Sequence, residues 1–213
     1  MLVVHHLGRS QSERIVWLCE ELGVPYELRR YERDPVTMLA PPGFKALHPI
    51  GAAPVITDGD LVLAESGAVI EYVIARHGAG RLALAPSHPN FADYLYWFHF
   101  ANGTLQPSMG RNMILRRLGL ADDNPTLLAM KERLDRALGL VEARLGGVEC
   151  LAGRDFTAAD IMVVFSLTTM RSFIPVDLGP YPAILSYLRR IGARDAYRRA
   201  MRKGDPDMAP LLT

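Results

Sequence analysis

Pro54 constrains this chain more than any other residue, because it stands directly before the apolar run Val55-Ile56-Thr57 and has no backbone N–H to give to a sheet. Such a residue belongs where a strand begins or at a sheet edge. If the Ala53-Pro54 bond is cis, the N–H and C=O beside it turn outward, and an extended peptide can pair with them as an added strand. Asp58-Gly59-Asp60 then reads as a hairpin turn into Leu61-Val62-Leu63-Ala64. Beyond that strand, Ser66 precedes the apolar positions Val69, Ile70 and Val73, with His77-Gly78 as a stop, which predicts a helix of about three turns with Ser66 as its N-cap. A helix start offers unpaired N–H groups and a positive dipole end, which suit a carboxylate. Glu65, one residue earlier, can accept a hydrogen bond from an ammonium group. Glu65 and Ser66 together therefore fit a ligand that carries an α-carboxylate and an α-amino group. Each signal alone has an ordinary explanation in capping or turn formation, but their order and spacing point to a peptide-binding site.

The order of Pro54, Asp58-Gly59 and Glu65-Ser66 before a helix resembles the glutathione-binding half of the cytosolic glutathione S-transferases, in a serine-type, bacterial-like form. The resemblance implies a thioredoxin-like α/β domain over residues 1–80 and an all-helical domain over 81–213 that contributes the site for an electrophile. It also implies that Ala53, beside Pro54, pairs with the cysteinyl part of glutathione while Glu65 and Ser66 hold the γ-glutamyl end. The family often carries a lysine or arginine before the proline. Here the stretch is His48-Pro49-Ile50-Gly51-Ala52, which leaves His48 to supply part of the contact to the glycyl carboxylate.

Leu2-Val3-Val4 reads as a short apolar strand, and Ile15, Val16, Leu18, Cys19 and Leu22 mark one face of a helix that ends near Gly23. Between them lies Ser10-Gln11-Ser12-Glu13, which a thioredoxin-like fold would place at its active corner. A thiol–disulfide enzyme needs Cys-x-x-Cys there, whereas this chain has two serines. A serine suits an enzyme that activates a thiol arriving with its substrate. A free thiol has a pKa of about 8.5, and lowering it by two units takes about 2.7 kcal/mol of preference for the thiolate. A donated hydroxyl hydrogen bond and the dipole of the first helix are of that size, and no general base is required. Ser10 is the first candidate, because in serine-type relatives the active serine precedes an arginine of the first helix by four residues and Arg14 stands there. Ser12 is the second candidate. His5, His6 and Arg14 read as structural, and no metal ligand set is expected.

From about Ser87 the pattern turns wholly helical, with Pro89 and Pro125 suited to first turns of helices. Leu134, Leu138, Val141 and Leu145 form one apolar stripe that Gly146-Gly147 ends, and Thr157-Ala158-Ala159-Asp160 opens an all-apolar, hence buried, helix as a capping box. Asp160 is structural on this reading. The aromatic segment Tyr96–Phe100 reads mostly as core, and Asn102, Met109 and Met113 are candidates for an electrophile pocket, since methionine adapts to varied apolar shapes.

A 213-residue chain that is 49% hydrophobic can bury a sizeable core, and a formal net charge of +1 gives no support to nucleic-acid binding. There is no run of apolar residues long enough for a membrane span, and two cysteines make no disulfide framework. The expectation is a cytoplasmic homodimeric transferase that uses glutathione as co-substrate and needs no metal. It would direct the glutathione thiolate at a small hydrophobic electrophile, with no membrane or nucleic-acid partner. A glutathione-dependent isomerase or dehalogenase, or a non-catalytic glutathione-binding regulator on the same fold, is the alternative.

Overall fold

The computed structural model describes all residues from Met1 to Thr213, which form two compact units. The first comprises Met1–Ala83 with Gly192–Pro210, and the second Leu84–Ile191 with Leu211–Thr213. A thioredoxin-like N-terminal domain is followed by a helical C-terminal domain.

In the first unit, β1 (Leu2–Leu7), β2 (Glu27–Tyr31), β3 (Val55–Asp58) and β4 (Leu61–Ala64) make one sheet in the order β2-β1-β3-β4. β1 runs parallel to β2 and antiparallel to β3, and β3 pairs antiparallel with β4. β1 is central and buried along its whole length, with His5 and His6 continuing the strand beyond Leu2-Val3-Val4. Strand alternation then sends the two imidazoles to opposite faces. His5 lies among Tyr31 and Thr57, whereas His6 points toward the start of α1 (Glu13–Leu22) and the end of α9 (Asp195–Gly204). On the His5 face, Leu7, Val55 and Ala64 form a small core with Phe44 from the short helix α2 (Pro42–Lys45).

Helix α9 packs along α1 within this unit, although the division at residue 80 assigns it to the second domain. Ala196, Tyr197, Ala200, Met201 and Gly204 give it a buried stripe, and Trp17 meets Tyr197 edge-on at 4.9 Å between ring centroids. Charges rim the contact. Arg194 forks onto Glu21 at 2.7 and 2.8 Å, while Glu20 accepts from Arg199 at 2.9 Å and Lys203 at 2.5 Å. Such paired, partly buried charges fix the register of one helix on another more than they add to its stability.

Helix α3 spans Ser66–Arg76, and its capping residue is Glu65 rather than Ser66. Ser66 is already helical, with its side chain turned inward, so the sequence expectation is off by one position. In the second unit, α4 (Phe91–Phe100) runs through a π-helical turn, Ala101–Leu105, into α5 (Gln106–Arg117). Pro107 accounts for that turn, since it has no N–H and its ring crowds the carbonyl four residues back, so the ladder widens there. Pro89 lies before α4 and not in its first turn, whereas Pro125 does open α6 (Pro125–Gly147) behind an Asn124 cap. Helix α7 (Ala158–Leu167) is buried throughout and begins with the expected capping box. α8 (Pro182–Ala193) precedes α9.

Asp160 knits the second unit together from a site with no solvent exposure. It accepts from Leu151 N–H and Thr157 N–H, both at 2.9 Å, and from the Tyr187 hydroxyl at 2.9 Å. Burial raises its carboxyl pKa, and these donors oppose that rise. Asp160→Ala is expected to cost about 3–5 kcal/mol in urea unfolding, because it strands several buried donors at once. A loss under about 1 kcal/mol would show that the donors find other partners.

Candidate functional site

The turn between β1 and α1 is a compact hydrogen-bonded unit. Ser10 is 5% exposed and Ser12 is fully enclosed. The Ser12 N–H donates to Ser10 Oγ at 3.2 Å, the two hydroxyl oxygens are 2.7 Å apart, and the Glu13 N–H closes the turn on the Ser10 carbonyl at 3.0 Å. Ser12 Oγ also accepts from the Leu7 N–H at 3.1 Å and lies 2.9 Å from His6 Nδ1. Across the ring, His6 Nε2 is 3.1 Å from Asp205 Oδ2, and Asp205 Oδ1 accepts from the Arg9 N–H at 2.9 Å. A row of polar groups thus runs from the end of α9 through β1 to the active corner. His6 read as a structural residue in the sequence, and Asp205 carried no signal at all, being 199 positions away in the chain.

A close approach makes this row possible. A Cβ on Gly204 would sit 3.1 Å from His6 Nε2, so the glycine that ends α9 lets the ring lie against the backbone and meet the next residue's carboxylate. Burial pushes the Asp205 carboxyl pKa up, but the hydrogen bond and charge of His6, the Arg9 N–H and the charge of Arg30 outweigh it and hold the value below the ordinary range.

The second part of the site lies at the β3–β4–α3 end of the same unit. The Ala53-Pro54 peptide is cis and leads into β3. Glu65 is exposed and takes a left-handed backbone conformation, φ 71°, which is uncommon for a residue with a side chain and sets its carboxylate beside the start of α3. Ser66 is buried, and its Oγ accepts from Arg14 Nη1 at 3.3 Å, which ties the start of α3 to α1. Arg14 also donates to Gln11 at 2.8 Å, and burial pulls its guanidinium pKa down to about 9. His48 is half-buried and its Nδ1 accepts from the Ile50 N–H at 3.2 Å. Lys45, which the sequence reading passed over, lies beside the same loop, its Cγ 3.7 Å from where a Gly51 Cβ would be. It is the last residue of α2, and only the fold brings it there.

The three electrophile-pocket candidates do not share one cavity. Met113 lines a cavity of about 870 Å³ between α5, α6 and the 173–181 loop, with Leu134, Leu138 and Phe173. Met109 is 1% exposed in the core, and Asn102 lies on the π-helical turn outside that cavity's lining. No cluster of three or more His, Cys, Asp or Glu side chains could hold a metal ion, and no helix is long and apolar enough to cross a membrane.

Comparison with known proteins matches both parts of the chain. Residues 1–75 fit the family model described as glutathione S-transferase, N-terminal domain, and residues 106–195 fit the corresponding C-terminal domain. Glutathione S-transferase 3 of Schizosaccharomyces pombe is 30% identical over 231 residues, covering 100% of this chain and 92% of that protein. Glutathione S-transferase 1 of Saccharomyces cerevisiae is 28% identical, covering 95% of each chain. Among solved structures, a glutathione S-transferase from Actinobacillus pleuropneumoniae superposes with a TM-score of 0.88 at 32% identity, over 98% of this chain and 97% of that one. A glutathione transferase family member from Pseudomonas fluorescens with two glutathione molecules bound gives a TM-score of 0.76 at 24% identity, over 94% of this chain and 92% of that one.

The depressed Asp205 pKa sets the sign of an acid effect. A carboxylate held low in the folded state contributes stability that is present above its unfolded pKa of about 3.9 and is lost as pH falls through the folded value. Asp205→Asn should therefore be about 1–3 kcal/mol less stable than the parent at neutral pH. Urea titrations at a series of pH values should show the gap narrowing below about pH 4. A gap that stays constant to pH 2 would mean that the charge on Asp205 contributes nothing.

Proposed function

The chain belongs to the glutathione S-transferase family, and from that premise we propose that it binds glutathione along the first unit and presents the sulfur, as thiolate, to a small hydrophobic electrophile. The carrying observation is the contrast between the two serines. Ser12 Oγ is enclosed and already engaged by Leu7 and His6, whereas Ser10 Oγ is the outermost hydroxyl of the turn. Ser10 is therefore the donor that meets the sulfur, and Ser12 stands behind it. The thiolate adds to, or displaces a leaving group from, an electrophilic carbon. Its negative charge is stabilised by the Ser10 hydrogen bond and by the positive end of α1.

The rest of the tripeptide follows from charge. Glu65 takes the γ-glutamyl ammonium, and the first-turn N–H groups of α3, beginning at Ser66, take the neighbouring carboxylate. The backbone of Ala53, before Pro54, pairs with the cysteinyl residue. Lys45 supplies the cation that Ala52 lacks, with His48 beside it, for the glycyl carboxylate. Exposed Leu95 and Tyr96 on α4, the latter 52% exposed, support a homodimer. Clearance of reactive compounds in the cytoplasm is the role consistent with such chemistry.

Ser10→Ala should lower kcat/KM for a model electrophile at neutral pH by about 10²–10³-fold, a range typical of losing one donor to a developing anion. Glutathione affinity should change less than about threefold, because the peptide contacts lie elsewhere. Glu65→Gln should show the reverse pattern, weakening binding by about 10–100-fold for a lost charge-assisted contact. Steady-state kinetics with isothermal calorimetry separates the two. An unchanged rate in Ser10→Ala would move the sulfur contact away from Ser10.

A further inference from the structure

We propose that Asp205, His6 and Ser12 form a proton relay behind Ser10, so that the thiol proton of bound glutathione moves inward to His6 as the thiolate forms. The inference rests on the reading of Ser10 as the sulfur contact and goes beyond it. Hydrogen bonding by Ser10 alone stabilises a thiolate but leaves its proton to find solvent. Here an acceptor is already in line.

With the His6 ring neutral, hydrogen-bond valence fixes the direction of every link. Asp205 Oδ2 can only accept, so at 3.1 Å His6 Nε2 carries its hydrogen toward it and, in the neutral ring, Nδ1 presents a lone pair. Ser12 Oγ, 2.9 Å away, then donates to Nδ1. Having spent its hydrogen there, Ser12 Oγ accepts from the Leu7 N–H at 3.1 Å and from the Ser10 hydroxyl at 2.7 Å. Ser10 Oγ accepts from the Ser12 N–H and keeps one lone pair for an incoming thiol. The Leu7 carbonyl, 3.4 Å from Ser12 Oγ, is the weaker alternative acceptor.

Transfer reverses three links and breaks none. The sulfur gives its proton to Ser10 Oγ, Ser10 gives its own to Ser12 Oγ, and Ser12 gives its own to His6 Nδ1. The products are a thiolate and an imidazolium, and no proton passes between the complex and solvent. Ser10 now donates to the sulfur and accepts from the Ser12 N–H and hydroxyl. Ser12 accepts from Leu7 N–H and from His6 Nδ1–H. Both hydroxyls use all of their hydrogen-bonding capacity before and after the shift, and the new imidazolium faces the Asp205 carboxylate. Arg9, Arg30, Glu32, Arg33 and Asp207 line the same groove as Asp205; the charges of Arg30 and Arg33 act on Asp205, and Arg30 is itself paired with Glu32 at 3.0 Å. The Arg194, Arg199 and Lys203 contacts to Glu21 and Glu20 hold α9 where Asp205 meets the ring.

His6, Ser12 and Asp205 act through Ser10 and are positioning residues, so the deciding readout is proton stoichiometry and not rate alone. Glutathione is mixed with the protein in weakly buffered solution at about pH 7.5, where a free thiol is mostly protonated. Thiolate absorbance and indicator-dye proton release are followed together. The relay predicts close to zero protons released per thiolate formed in the parent protein. In Ser12→Ala, which interrupts the row, the ratio should rise toward about one, and the thiolate yield in Asp205→Asn should fall about tenfold as the imidazolium loses its partner. A thiolate band with about one proton released by the parent overturns the relay and leaves the role of Ser10 standing. Bound glutathione with no thiolate band removes that role and the relay with it. The parent measurement stands by itself even where a variant fails to fold.

Discussion

The contact between Asp205 and His6 organises the first unit of this protein. It is a buried, charge-assisted hydrogen bond between the centre of a sheet and a residue nearly two hundred positions later, and its geometry depends on a glycine that lets helix backbone approach an imidazole. Around it, α9 lies on α1 through an apolar stripe and a rim of arginine, lysine and glutamate pairs. Without that docking the His6 ring would have no fixed tautomer, and the serine turn would lose the partner that orients it. The active corner is thus supported from behind by the last helix of the chain.

This arrangement replaces one kind of thiol chemistry with another. A thioredoxin-like corner can carry cysteines that exchange electrons, but here it carries two hydroxyls, and the reactive sulfur arrives with the substrate. The chain's own cysteine nearest the corner is unsuited to the task, since burial and the neighbouring Glu20 push the Cys19 thiol up to about 12. On the proposed reading the protein supplies hydrogen bonds, a helix dipole and a place for a proton. On that reading the same economy holds at the other end of the ligand, where Glu65 and the start of α3 would meet a zwitterion with a side chain and a helix terminus.

Local signals made most of the fold legible. The strand that Pro54 opens, the hairpin turn, the capping box of Thr157 and Asp160, and the α6 leucine stripe all stand where the sequence puts them, because each depends on residues within a turn or two. Two boundary errors have local causes as well: Glu65 rather than Ser66 caps α3 because Glu65 adopts positive φ, and Pro89 stops short of α4. What the sequence withheld is long-range. Lys45 reaches the His48–Gly51 loop only through the fold, α9 belongs to the first unit although it follows the helical region, and Asp205 gains meaning only from its contact with β1. Nor did methionine content locate a pocket: Met109 is core and Met113 lines a cavity, a difference set by helix rotation that composition does not carry.

The central claim is that this protein holds glutathione as a thiolate, and a pH titration of the ultraviolet thiolate band of the bound complex tests it most directly, with calorimetry to establish saturation. The account predicts a thiolate that persists at least one pH unit below the range of a free thiol, whose pKa is about 8.5. Saturable binding with the thiol titrating at its ordinary value, or no binding at all, would contradict it.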